Sequence, residues 1–92
     1  MTRDINSIEL ASHIKNIIKE LILDFNLDID HGVDIILYSP DIDKEVFKEV
    51  LNNIMDDIKI VYVHMYIEPG FYIKKIFWRG YQIIIGVRPA IL

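Results

Sequence analysis

The sequence predicts an α+β fold, built over residues 1–92 as one domain in the order α-β-α-β-β-β. Three observations carry that expectation. Two stretches repeat apolar residues every three or four positions, the period of an amphipathic helix. The stretch Lys59–Arg88 instead alternates residue types and holds seven of the ten aromatic residues of the chain. Turn signals sit between these segments and nowhere inside the helical ones. A strand–helix–strand unit followed by two hairpin-linked strands gives a mixed four-stranded sheet with an antiparallel C-terminal meander. Each helix has one apolar stripe, so both are expected on one face of that sheet.

The first helix is expected over about 7–25. Asn6 with Glu9 three residues on has capping-box spacing, with Asn in the Ser/Thr position. Leu10, Ile14, Ile17, Ile18, Leu21 and Phe25 form its apolar stripe. Asn26–Gly32 reads as an acidic loop. Its alternating Asn26, Asp28 and Asp30 resemble the start of a calcium loop, but His31 and Leu37 stand where such a loop needs Gly and an acid. Val33–Tyr38 is a short β-branched strand. Ser39-Pro40-Asp41 ends it and opens the second helix, which runs to about Met55 with Ile42, Val46, Val50 and Ile54 at four-residue steps. Strands follow at 58–67, 71–78 and 81–88. Glu68-Pro69-Gly70-Phe71 has the Pro-Gly centre of a type II turn, and Arg79-Gly80 is a tight turn. Gly86 is expected as a bulge.

Composition narrows the function classes. There are no cysteines, which excludes disulfides, thiolate zinc sites and cysteine nucleophiles. No apolar run approaches the ~20 residues that span a bilayer, and the first residues lack a signal-peptide pattern. The expectation is a soluble, cytoplasmic protein with no membrane partner. Twenty isoleucines, with many Lys, Asn and Asp, point to an AT-rich genome such as a low-GC bacterium or its phage. The net charge of −4 is uneven. Residues 1–57 carry 5 Lys+Arg against 13 Asp+Glu, while residues 58–92 carry 5 against 1. Such a split can steer a partner, and it also follows from helix surfaces taking acids where strands do not.

Alternation along the last three strands sorts their residues into two sets. Val61, Val63, Met65 and Ile67, then Phe71, Ile73, Lys75 and Phe77, then Tyr81, Ile83, Ile85 and Val87, are expected under the helices. The helix-free face then carries Tyr62, His64, Tyr66, Tyr72, Lys74, Ile76, Trp78, Gln82 and Arg88, an aromatic and cationic surface without an acid. Tyr, Trp and Arg dominate protein interfaces, so the expected partner is a second copy of the chain or another protein. The alternative is single-stranded nucleic acid, with rings stacking on bases and Lys or Arg on phosphates. Against it, the chain is acidic. Gly70–Phe77 also departs from the RNA-recognition string at Pro69 and Tyr72, and the element order differs from that fold.

No catalytic, cofactor or metal site is expected. His13, His31 and His64 lack partners at metal-ligand spacing. Ser39 precedes a proline without a glycine elbow and reads as a cap. Asp41, Asp43 and Lys44 share one helix start, where an acidic nuclease site needs separate strands. No glycine loop could cradle a phosphate.

Overall fold

The computed structural model describes residues 5–90. Its elements are α1 (Ser7–Asp24), β1 (Val33–Tyr38), α2 (Lys44–Ile54), β2 (Ile60–His64), β3 (Tyr72–Trp78) and β4 (Tyr81–Pro89). The α-β-α-β-β-β order and the α+β class are as the sequence indicates. The sheet is mixed and four-stranded, in the order β2-β1-β4-β3.

Helix α1 starts where its cap residue dictates. The Asn6 side-chain oxygen accepts hydrogen bonds from the Ile8 and Glu9 backbone N–H groups at 3.1 and 3.2 Å. Leu10, Ile14, Ile17, Ile18 and Leu21 are buried as one stripe. Helix α2 begins at Lys44, later than Pro40, because 39–42 form a turn. The Asp41 N–H donates to Ser39 Oγ at 3.0 Å, and the Asp41 carboxylate accepts from the Gln82 backbone N–H at 3.3 Å. Phe47, Val50 and Ile54 face inward from α2 and meet the α1 stripe together with Val33, Ile35, Leu37, Ile83, Ile85 and Val87. Both helices therefore lie on one side of the sheet. Among the described residues no helix is long and apolar enough to cross a membrane.

The expected meander is corrected to a hairpin plus a separate edge strand. β1 pairs in parallel with β2 and antiparallel with β4, and β3 pairs only with β4. The reason lies in the two C-terminal strands. Ile83–Val87 is buried without interruption, as suits a central strand covered on both sides. β3 has two adjacent lysines and is largely exposed, as suits an edge. β4 therefore takes the slot beside β1, and β2 and β3 stand at opposite edges.

Strand β2 is also shorter than the expected 58–67. A register shift at its start leaves Val61 unpaired and exposed, so Ile58 and Ile60 turn inward with Val63 and Met65. Gly32 lies against this bulge. Its φ is +92°, and a Cβ there would stand 2.8 Å from both the Lys59 carbonyl oxygen and Val61 Cγ2. Gly86 is not a bulge, since β4 keeps its register with β1 and β3 throughout. A Cβ on Gly86 would lie 3.1 Å from the Ile36 side chain, so its role is to leave room for Ile36.

Candidate functional site

The helix-free face is read from cross-strand partners, because directly opposed residues point the same way. One row runs Tyr62, Asp34, Arg88 across β2, β1 and β4. The next runs His64, Ile36, Gly86, Ile73, and later rows pair Ile84 with Lys75 and Gln82 with Phe77. Tyr62, His64, Gln82 and Arg88 lie on this face as expected.

Strand β3 is a correction. Tyr72, Lys74, Ile76 and Trp78 lie opposite Val87, Ile85, Ile83 and Tyr81, on the helix side. Tyr72 packs its ring 4.3 Å from that of Phe25 at the end of α1. Lys74 pairs with Glu20 of α1 at 3.6 Å, and Trp78 is only 9% exposed, inside the core. The turn dictates this. Arg79 and Gly80 have φ of 51° and 84°, the two positive values of a two-residue type I′ hairpin turn. Such a turn sets Trp78 directly opposite Tyr81, and Tyr81 belongs to the helix-facing set. A lysine at position 74 is tolerated under the helices because β3 is an edge and its side chain reaches past the sheet to Glu20. Ile73, Lys75 and Phe77 consequently face outward, and Phe77 is 78% exposed.

The face is not bare. The link 65–71 carries the chain from the β2 edge to the β3 edge, three strand spacings or about 14 Å away. Met65 still packs toward the core, while Glu68 and Phe71 lie against the helix-free face. The His64 Nδ1–H donates to Glu68 at 2.9 Å, and the Phe71 ring sits 5.3 Å from that of His64. The Arg88 guanidinium lies 4.4 Å over the Phe71 ring while its Nε donates to Asp34 at 3.1 Å. Gly70 takes φ +90°, as a type II turn at Pro69-Gly70 requires. This small network leaves Asp34 6% and His64 7% exposed.

The arrangement alters the chemistry expected of this surface. Two acids, Asp34 and Glu68, enter a face expected to have none. Arg88 is engaged by Asp34, and Lys74 leaves for the other side, with Lys75 in its place. Asp34 carried a signal that alternation could have used: it is the one charged residue in VDIILY, in phase with Ile36 and Tyr38. Glu68 had no such signal, because its position depends on where the link crosses. In the carboxylate–imidazole contact the imidazole is withheld from solvent, while Glu68 is part-exposed. His64 Nε2 is buried without a hydrogen-bond partner, and the centre of the imidazole ring lies 4.5 Å from that of Tyr62, 5.3 Å from that of Phe71 and 6.3 Å from that of Tyr66. Among the described residues no three His, Cys, Asp or Glu side chains gather as metal ligands.

What remains accessible on the face lies at its flanks. Tyr62 and Tyr66, 60% and 58% exposed, stand at and beside the β2 edge. Ile73, Lys75 and Phe77 stand at the β3 edge. The chain matches no protein-family model, and neither the curated proteins nor the solved structures contain a match to it.

Proposed function

We propose that this chain is a non-enzymatic protein-interaction module whose contact surface is the helix-free face of the sheet. One observation carries the reading: Tyr62, Tyr66, Ile73 and Phe77 are all large, apolar-bodied and exposed there, on both flanks of a well-packed centre. Exposed rings of this kind gain more from a partner surface than from water. The buried network beneath the link gives them a rigid base, which lowers the ordering entropy of binding. A second copy of the chain is the first partner to test, since small chains commonly pair about a two-fold axis.

Sedimentation velocity across a concentration series is the test. The expected result is a reversible dimer that Phe77→Ser and Tyr62→Ser each weaken while far-UV circular dichroism stays unchanged. The nucleic-acid alternative would replace this reading if the chain instead bound oligo(dT) with affinity falling steeply in salt. A strictly monomeric chain, with or without those substitutions, removes self-association as its role.

A further inference from the structure

On the opposite side from that face, a cleft of about 330 Å³ opens between the C-terminal half of α1, the loop before β1 and the start of β2. Its apolar lining is Ile22, Leu23, Ile29, Val33 and Ile58. Val33 and Ile58 are buried, and Leu23 and Ile29 are exposed, so the apolar surface runs from the core out to solvent. The size and lining are those of a small-molecule site. Three charged residues complete it: Lys19, Asp57 and Lys59. The acid is already engaged, because Lys15, outside the lining, donates to Asp57 at 2.6 Å. Lys19 and Lys59 are exposed and make no ion pair among the described residues. The cleft therefore combines an apolar slot with two lysines against one acid, and that acid is hydrogen-bonded to a third lysine, Lys15.

We propose that this cleft binds a single-chain aliphatic carboxylate, its tail along Ile22, Ile29 and Ile58 and its head group at Lys19 and Lys59. The tail is held by removal of apolar surface from water, and the head by charge-assisted hydrogen bonds. A cationic head group would meet two lysines against one acid, and that acid already accepts from Lys15. The cleft shares no residue with the helix-free face, so this site stands or falls independently of the interaction reading.

The test uses decanoate as probe, followed by amide chemical shifts of the full chain below the micelle concentration. The expected result is saturable binding that shifts residues 19–23, 29–33 and 57–59. Decanol and decylammonium are expected to bind at least about tenfold more weakly, the loss of one charge-assisted contact. The double variant Lys19→Glu/Lys59→Glu is expected to weaken decanoate by a similar factor with its circular dichroism intact, and exposed Leu23→Gln to weaken all three probes. Equal binding of decanol and decanoate, shifts confined to the helix-free face, or no saturation overturns the proposal. Binding to phosphatidylglycerol vesicles without affinity for decanoate also overturns it, since the partner is then a lipid surface.

Discussion

Neighbouring residues Phe77 and Trp78 provide the sharpest test of which way β3 faces. Trp78 is 9% exposed in the core and also has the Arg79 guanidinium 4.9 Å over its ring. Phe77 is 78% exposed. Burying a tryptophan removes roughly 200 Å² from water, worth about 5 kcal/mol at 25 cal/mol/Å². Truncating such a side chain to Ala destabilises by about 3–5 kcal/mol. A domain of this length has about 5–14 kcal/mol in total, so Trp78→Ala sits near the limit of folding. Phe77→Ala is expected to cost within about 0.5 kcal/mol, as for surface positions. In urea unfolding, with m near 2 kcal/mol/M, these become midpoint losses of about 2 M and under about 0.3 M. Both variants should be read by circular dichroism, since removing the only tryptophan abolishes the intrinsic fluorescence signal. If Phe77→Ala loses more than Trp78→Ala, the hairpin register is inverted and the surface assigned above is wrong.

Other consequences can be measured on the same footing. Gly86→Ala puts a methyl against the wholly buried Ile36 and is expected to cost about 1–3 kcal/mol; Ile36→Val should recover part of it in a double-mutant cycle, whereas simple additivity would mean the two do not share the space. Gly32→Ala combines a left-handed backbone with a contact to a fixed carbonyl oxygen, and a loss of at least about 2 kcal/mol in thermal or urea unfolding is expected. The Lys15 hydrogen bond, and then the Lys15 charge, hold the Asp57 carboxyl below its ordinary 3.8. Between the folded value and 3.8 the unfolded chain binds more protons, so this contribution is complete above about pH 4 and is lost as pH falls through the folded value. Asp57→Asn should therefore be less stable than the parent at neutral pH, with the gap closing in acid and in high salt; a gap constant with pH would remove the ionised pair as its cause.

Local patterns were legible where chemistry is local. Asn6 marked the start of α1, Val33–Tyr38 read directly as a strand, and the spacing of Ile14, Ile17, Ile18 and Leu21 identified the buried stripe. Pairing was less legible, because it is decided by competition among strands for one slot beside β1. That competition turns on Ile83–Val87 being apolar on both sides, which alternation treats as noise. Faces failed at two points for distinct reasons. At Val61 a bulge shifts the phase, and nothing in the residues 58–62 announces it. At β3 the phase was available: a two-residue turn at Arg79-Gly80 together with a core-facing Tyr81 forces Trp78 inward, and the apolar look of Phe71 and Phe77 misleads. Four of the nine residues of the expected surface, Tyr62, His64, Gln82 and Arg88, share one face as read, and Tyr66 extends it at the β2 edge. Asp34 joined it through its place in β1, and Glu68 only through the crossing link.

The position of β4 has a consequence for how the chain is made. The strand that fills the middle of the sheet is the last of the four to leave the ribosome. Until 81–89 has emerged, β1 is paired on one side only, and its apolar VDIILY backbone offers an open edge to any neighbouring nascent chain. The helices and the β1–β2 pair can gather early, but closure of the sheet waits for the final strand and brings β3 in with it as a hairpin. A release shortly before Tyr81 should therefore give an aggregating product rather than a smaller folded one, and co-translational holding by a chaperone would act on β1 more than on any other segment.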